Sequence, residues 1–117
     1  MRILYVEDNP DDANLVHRYV RTTGHELVIV ETVDAAYTAM LQPVDLILVD
    51  LLLNRQRSGF DLARALRANE ISCPMIAVTA LTTAGDMAAA RRAGFDEVLP
   101  KPFQITDLAS VIERYTS

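Results

Sequence analysis

Short apolar runs alternate along this chain with segments in which apolar residues recur every three or four positions. The runs have the length of buried strands, and the spaced segments have the period of amphipathic helices. We therefore predict five strands, each followed by a helix, with the strands at 3–6, 26–30, 46–49, 75–78 and 97–99. The apolar stripes of the first and last helices are Leu15, Val16, Tyr19, Val20 and Leu108, Val111, Ile112, Tyr115.

The apolar runs show almost no alternation with polar residues, which is typical of parallel strands buried on both faces. A regular strand–helix alternation predicts an α/β fold, a doubly wound parallel sheet with right-handed crossovers and helices on both faces. The 117 residues suffice for one such domain, so we predict a single domain over 1–117. The pattern alone does not give the strand order.

Polar residues follow several of the apolar runs directly. Glu7 and Asp8 follow the first run, Asp50 the third, Thr79 the fourth and Lys101 the fifth. The carboxyl ends of parallel strands meet at one edge of the sheet, where ligands bind. The sequence therefore predicts one shared site that contains these side chains.

Other acidic residues are explained by helix ends. Asn9 is placed to cap the first helix, and Asp11 and Asp12 fall in its first turn, beside the positive end of the helix dipole. Structural roles are also predicted for two pairs with capping-box spacing and for a helix stop: Ser58 with Asp61, Thr83 with Asp86, and Gly94. Glu7 and Asp8 precede the cap, and no local backbone need accounts for them.

Three clustered carboxylates need a compensating cation, because two unit charges about 5 Å apart repel by roughly 3 kcal/mol at an effective dielectric of ~20. Lys101 supplies one positive charge. The remaining oxygen ligands suit Mg²⁺, which prefers one or two carboxylates together with water and phosphate oxygens. A carboxylate nucleophile beside a metal, a hydroxyl and a lysine is suited to phosphoryl transfer to aspartate. Walker loops, histidine pairs at metal spacing and Ser-His-Asp sets are absent from the sequence.

Composition narrows the classes of partner. The net charge of -5 argues against direct nucleic-acid binding, which needs a basic surface. No apolar run is long enough for a membrane span or a secretory leader, so we expect a cytoplasmic protein without membrane contact. Cys73 is the single cysteine, which excludes an internal disulfide and a cysteine-based zinc site.

With these motifs in place, the chain resembles the receiver domains of two-component response regulators, the chemotaxis-regulator-like family. The resemblance extends over essentially the whole chain, from Glu7-Asp8-Asn9 through Asp50 and Thr79-Ala80 to Lys101-Pro102. It implies a flavodoxin-like sheet of order 2-1-3-4-5. It also implies that Asp50 accepts a phosphoryl group from a phosphohistidine on a sensor histidine kinase or a histidine phosphotransfer protein.

The resemblance assigns a role to each strand-end residue. For the Mg²⁺ ion, Asp8 and Asp50 would be direct ligands, Glu7 would act mainly through water, and Leu52 would contribute its backbone carbonyl.

For the phosphoryl group, Lys101 would pair with Asp50 and then with the product. The hydroxyl of Thr79 and the backbone N–H of Ala80 would bind phosphoryl oxygens, and Lys101-Pro102 would be a cis peptide.

The sequence departs from the family pattern at three places. The family's aromatic switch residue, three positions before Lys101, is Val98 here. The loop after Asp50 has Asn54 where the family has proline, and Gly59 comes one residue late, which predicts a longer and more flexible loop. We expect Arg55 and Arg57 in this loop to be solvated, with steering of an anionic donor as the alternative.

The third departure concerns two positions that help place the hydrolytic water in the family. They are Leu52 and Leu81 here, and neither side chain can hydrogen-bond a water. The expectation is slow self-dephosphorylation.

We therefore expect a receiver rather than a turnover enzyme, ending after its last helix without an output domain and acting on an unknown downstream protein by contact or by onward relay. Two alternatives stay open: a receiver-like interaction or dimerisation module that does not use phosphorylation, and a Mg²⁺-dependent phosphohydrolase. The hydrolases usually carry a second acid two residues after the nucleophile, where this chain has Leu52.

Overall fold

A computed structural model describes residues 1–116, which fold as five strands alternating with five helices. The strands are β1 (Arg2–Val6), β2 (Glu26–Val30), β3 (Leu46–Asp50), β4 (Met75–Thr79) and β5 (Glu97–Pro100). The helices are α1 (Pro10–Val20), α2 (Val33–Ala39), α3 (Ser58–Ala68), α4 (Ala84–Ala93) and α5 (Ile105–Arg114). Each predicted strand is confirmed, with bounds within one residue of the prediction.

The strands form one parallel sheet in the order β2-β1-β3-β4-β5, which confirms the flavodoxin-like order. The chain passes from β1 to β2 on one side and then returns to β3 on the other side. The crossovers therefore diverge between the ends of β1 and β3, which leaves a crevice at that edge. Val6 pairs with Val49 in this register, so the residues that follow them are neighbours.

Two buried clusters cover the two faces of the sheet. Helices α1 and α5 pack on one face, and α2, α3 and α4 pack on the other. Along β3, Leu46 and Leu48 belong to the first cluster, while Ile47 and Val49 belong to the second. All four side chains are fully buried, as expected for a central parallel strand.

Most of the predicted helix ends are confirmed. Asn9 accepts hydrogen bonds from the backbone N–H groups of Asp11 and Asp12, and Thr83 accepts one from Asp86. Gly94 ends α4 in the left-handed region at φ 109°, where glycine carries no Cβ penalty.

The prediction for Ser58 is wrong. Ser58 is the first residue of α3 and not its cap, and the capping residue Arg57 makes no side-chain cap bond. The reason is the close approach of Gly59 to β3, where an added Cβ would lie 2.3 Å from the carbonyl oxygen of Asp50. Only glycine fits this contact, so it fixes where α3 begins and how its start lies against the strand end.

Within residues 1–116, no helix combines the length and the apolar character that crossing a membrane requires.

Candidate metal and phosphoryl-transfer site

The three predicted metal-ligand carboxylates lie together at the ends of β1 and β3. Glu7, Asp8 and Asp50 each offer a carboxylate oxygen, and these oxygens lie within 4.8 Å of one another. Glu7 and Asp50 are buried, and Asp8 is half-buried. The predicted convergence is thus confirmed for the acidic residues.

Lys101, at the end of β5, reaches into the same cluster. Its Nζ lies 2.5 Å from Glu7 Oε1 and 3.2 Å from Asp50 Oδ2. Burial on its own lowers the pKa of Lys101, but its contacts with Glu7 and Asp12 outweigh burial and raise the pKa above the ordinary value. The side chain is therefore a permanent cation. The expected cis peptide between Lys101 and Pro102 is present.

Asp12 is a residue of this cluster that the sequence reasoning did not include in the site. Its Oδ2 lies 2.9 Å from Lys101 Nζ, so the ammonium bridges three carboxylates and not two. Its position in the first turn of α1 gave it a sufficient structural explanation. The available signal was topological, because the first turn of a helix that starts three residues after Glu7 must lie at the same edge of the sheet.

Glu7 has both carboxylate oxygens occupied. Its Oε1 accepts hydrogen bonds from the Tyr5 hydroxyl at 2.7 Å and from Lys101, and its Oε2 accepts from the backbone N–H groups of Asp8 at 3.1 Å and Asn9 at 3.3 Å. Burial, with the nearby Asp50 carboxylate, raises the pKa of Glu7 from an ordinary 4.5 to about 7, against lowering contributions from Lys101 and Tyr5. Burial also raises the pKa of Tyr5, so its hydroxyl remains a donor.

Asp50 is held from two sides. Its Oδ1 accepts the backbone N–H of Leu52 at 3.0 Å, and its Oδ2 accepts Lys101 Nζ. The side chain remains slightly accessible, with 6% of the residue exposed. A carboxylate oriented by two donors at the mouth of a crevice is suited to in-line attack on a ligand that enters from solvent. The predicted metal role of the Leu52 carbonyl stays a prediction.

Thr79 lies at the same edge but outside this bonding network. Its side chain is fully buried, and its Oγ1 accepts the backbone N–H of Leu81 at 2.9 Å. Among residues 1–116 it has no hydrogen bond to the acidic cluster. The main chain does connect the two, since Lys101 N–H donates to the Thr79 carbonyl at 2.8 Å. Ala80 follows in an exposed position, and the phosphoryl-binding roles of Thr79 and Ala80 stay predictions.

The loop after Asp50, which the sequence predicts to be longer and more flexible than the family pattern, contains a turn closed by hydrogen bonds. Leu53 and Gln56 exchange backbone hydrogen bonds of 2.9 and 3.0 Å, and both residues between them have positive φ, 52° at Asn54 and 63° at Arg55. Leu53 is buried under this turn. Gly59 follows this turn and lies close against the carbonyl of Asp50.

The two arginines of the loop differ. Arg55 is exposed, as expected for a solvated side chain. Arg57 is exposed as well, and it also stacks over the Phe60 ring at 4.5 Å and pairs with Asp86 of α4 at 3.6 Å. Among residues 1–116 it makes no ion pair with Glu7, Asp8 or Asp50, so the structure gives no support to a steering role for Arg57.

Val98, at the position of the family's aromatic switch residue, is half-buried on β5. It packs against the buried cluster under α2, α3 and α4 and pairs in register with Ala77 of β4. The core therefore accommodates an aliphatic side chain at position 98.

Comparison with known proteins places this geometry in a family. The model of the response regulator receiver domain matches residues 3–113. The sensor protein GacS of Pseudomonas syringae pv. syringae is 34% identical over 98% of this chain, which spans 13% of that protein. The DNA-binding response regulator MtrA of Mycolicibacterium smegmatis is 33% identical over 93% of this chain, which spans 47% of that protein. The chain thus spans less than half the length of these curated relatives.

Solved structures of receiver domains have the same fold as this chain. The receiver domain of sensor histidine kinase PA1611 from Pseudomonas aeruginosa PAO1 superposes with a TM-score of 0.84 at 32% identity, covering 97% of this chain and 95% of that one. That structure holds a magnesium ion coordinated in its active-site cleft. The receiver domain of the TMAO respiratory response regulator TorR superposes with a TM-score of 0.87 at 27% identity, covering 97% of this chain and 93% of that one.

Proposed function

This chain belongs to the family of response regulator receiver domains of two-component signalling, and from that premise we propose that Asp50 accepts a phosphoryl group from a phosphohistidine with Mg²⁺ held by Asp8 and Asp50. The observation that carries the proposal is the bonding of Asp50, which lies in a cluster with Glu7 and Asp8 and accepts the ammonium of Lys101. A carboxylate held in this way is both oriented and partly neutralised toward an anionic donor.

The proposed metal roles are consistent with how heavily each carboxylate is hydrogen-bonded. Each oxygen of Glu7 accepts two hydrogen bonds, which favours an indirect role through water, whereas each oxygen of Asp50 accepts one and Asp8 Oδ2 accepts one. Asp8 and Asp50 are the direct ligands in this proposal, with the Leu52 carbonyl beside them. A bound Mg²⁺ would supply positive charge to the oxygens of the transferring group.

In the transfer step, a carboxylate oxygen of Asp50 forms a bond to phosphorus as the bond from phosphorus to the donor imidazole nitrogen breaks. The electron pair of that bond leaves with the imidazole, which takes up a proton. Lys101 moves from Asp50 to the new phosphoryl oxygens, and Thr79 and Ala80 bind them through a hydroxyl and a backbone N–H. For Thr79 this requires its hydroxyl to leave the N–H of Leu81.

Receiver domains are regulatory domains and not turnover enzymes, and the donor in this proposal is a histidine kinase or a histidine phosphotransfer protein. The chain's own catalysis of the transfer, its action as one receiver domain over 1–117, its cytoplasmic location and its output by protein contact or onward relay are parts of the proposal. The interaction module and the phosphohydrolase are less well supported, because the acidic site is complete and the second acid of the hydrolases is replaced by Leu52.

One experiment separates these functions. The protein is incubated with Mg²⁺ and acetyl phosphate or phosphoramidate, and intact mass is measured for wild type, Asp50→Asn and the matched control Asp61→Asn. Asp61 is an exposed acid on α3 that pairs with Arg64. We expect one phosphoryl adduct in wild type and in the control, and none in Asp50→Asn. No adduct in wild type would favour the interaction module, and sustained consumption of the donor would favour the hydrolase.

A further inference from the structure

The main chain holds one oxygen of every carboxylate in the metal cluster. Glu7 Oε2 accepts the N–H groups of the two following residues, and Asp50 Oδ1 accepts that of Leu52 at 3.0 Å. These contacts are local. Asp8 differs, because its Oδ2 accepts the N–H of Asn54 at 2.7 Å from a position 46 residues along the chain.

The turn that carries Asn54 is built to present this N–H. Asn54 and Arg55 form the two-residue loop of a small hairpin, closed by the reciprocal bonds between Leu53 and Gln56. Positive φ at both loop residues is the pattern of a type I′ turn, in which asparagine is favoured at the first position. Since the Leu53 and Gln56 backbone groups bond each other, the Asn54 N–H is free to point at Asp8.

We propose that the backbone N–H of Asn54 makes the metal site selective for Mg²⁺ over Ca²⁺ by keeping Oδ2 of Asp8 occupied. The N–H fixes the orientation of the Asp8 carboxylate and draws charge from Oδ2, which disfavours chelation of a metal through both oxygens. Mg²⁺ takes carboxylates through one oxygen in a tight octahedron, whereas the larger Ca²⁺ gains from two-oxygen carboxylates and more ligands. This inference rests on the proposed function, since it concerns the same metal site, and Asn54 acts in it as a positioning residue.

A different result is expected if the turn has only a structural role. If the turn only closes the loop after Asp50, opening it would weaken the binding of Mg²⁺ and Ca²⁺ by the same factor, or would lower only the stability of the fold. If the N–H controls how Asp8 coordinates, opening it changes the ratio of the two affinities. The ratio is therefore the informative quantity, and it does not depend on phosphorylation.

The test measures Mg²⁺ and Ca²⁺ binding to the full chain by calorimetry at one pH, with the metals added as chlorides. Asn54→Pro removes the N–H, and its fixed negative φ is incompatible with the turn. Asn54→Gly keeps the N–H and the positive φ and serves as the conservative rescue, while Arg55→Gly relaxes the neighbouring position. Thermal unfolding of each variant records whether it is folded.

We expect Asn54→Pro to lower the ratio of Mg²⁺ to Ca²⁺ affinity by about tenfold, the scale of losing a group that orients a ligand. Asn54→Gly and Arg55→Gly should keep the wild-type ratio. An unchanged ratio in a folded Asn54→Pro variant overturns the inference, and so does a ratio that falls equally in Asn54→Gly.

A second measurement uses wild type and does not depend on the proline variant folding. The amide proton of Asn54 should be protected from hydrogen exchange both without metal and with saturating Mg²⁺, and Asp8→Ala should remove the protection. Rapid exchange in wild type overturns the inference while the Asp50 adduct can still form. Failure of wild type to bind Mg²⁺ or to form the adduct overturns the proposed function together with it.

Discussion

Two halves of the strand-end edge differ in how they are bonded. In the acidic half, which comprises Glu7, Asp8, Asp12, Asp50 and Lys101, the three proposed metal-ligand carboxylates accept main-chain N–H groups and the ammonium bridges three acids. In what we call the β4 half, which comprises Thr79, Ala80 and Leu81 at the end of β4 and Val98 of the neighbouring strand β5, the Thr79 hydroxyl bonds its own loop and the other side chains are apolar.

The difference suggests that the two halves have different tasks, phosphoryl transfer in the acidic half and the response to phosphorylation in the β4 half. Charges that take part in a reaction must be fixed before the ligand arrives, because reorganising them during the reaction costs rate. The acidic half meets that requirement. In the proposed function Thr79 and Ala80 of the β4 half bind the phosphoryl oxygens, and the departures expected from the family resemblance include Leu81 and Val98. We infer that the site for chemistry is retained while lifetime and readout are altered.

The largest effect expected in the acidic half comes from Lys101→Met. Lys101 is the only lysine of the chain, and its loss leaves Glu7, Asp12 and Asp50 without their shared cation. Phosphorylation of Asp50 by acetyl phosphate should slow by about a hundredfold or more, the scale of removing a preorganised charge from a site. Mg²⁺ affinity should rise at the same time, because fewer positive charges compete for the carboxylates.

The measurements are the rate of adduct formation by intact mass and the Mg²⁺ affinity by calorimetry. Arg64→Met, which removes an exposed cation from α3, is the matched control and should change neither. A Lys101→Met variant that is phosphorylated at the wild-type rate would contradict the division between the two halves.

The β4 half should control the lifetime of the phosphorylated form. Leu81 and Leu52 stand two residues after Thr79 and Asp50, and neither side chain can hold a water. Leu81→Glu should shorten the lifetime by about tenfold, since a carboxylate there can orient and deprotonate the attacking water. Leu52→Asn should act in the same direction.

Decay of the adduct after removal of the donor gives the lifetime. Leu81→Met, which keeps the volume without adding a polar group, should decay like wild type. A lifetime that neither polar substitution changes would show that hydrolysis is limited by something other than water placement.

The fold was largely predictable because buried parallel strands read as uninterrupted apolar runs and their ends as abrupt polar residues. Strand order was not predictable from the pattern, because pairing partners leave no trace in local periodicity. It came from the family resemblance. The site was predictable to the extent that Glu7, Asp8 and Asp50 end adjacent strands.

The remaining parts of the site were hidden for physical reasons. Asp12 had a sufficient explanation as a first-turn acid, which concealed its contact with Lys101. Asn54 acts through its backbone N–H, a group that almost every residue carries, so no side-chain signal marks it. Ser58 had capping-box spacing, but the contact of Gly59 with the Asp50 carbonyl sets the start of α3 one residue earlier.

The pH dependence of stability should sharpen the comparison, because Glu7 is the carboxyl of the acidic half whose pKa is raised, to about 7. The raised pKa means that the folded chain holds the proton of Glu7 more tightly than the unfolded chain does, which stabilises the fold while Glu7 is protonated. Below about pH 4.5 Glu7 is protonated in both states, and this stabilisation is fully present. Between about pH 4.5 and 7 the unfolded chain ionises first, so the contribution falls, and above about pH 7 it is lost.

The free energy of unfolding of the metal-free protein, measured by urea titration across this range, should therefore contain a decline that Glu7→Gln removes. Glu31→Gln, at an exposed acid after β2, should keep it. Saturating Mg²⁺ should also reduce the decline, since the metal favours ionised Glu7. A decline that persists in Glu7→Gln would assign the effect to other groups.

The smallest effect should come from Asp12→Asn, which removes one of three acids from Lys101 and leaves the α1 cap at Asn9 intact. An ammonium bonded to fewer carboxylates is freer to move to a phosphoryl group, and an anionic donor meets one negative charge less. Phosphorylation by acetyl phosphate should accelerate by about two- to threefold, the scale of a partly exposed ion pair.

The matched control is Asp11→Asn, which removes the same charge from the same helix turn, but Asp11 is exposed and lies outside the ion pairs of Lys101. The difference in rate between the two variants therefore isolates the contact with Lys101 from the general field, and equal rates would mean that Asp12 belongs with the capping acids after all.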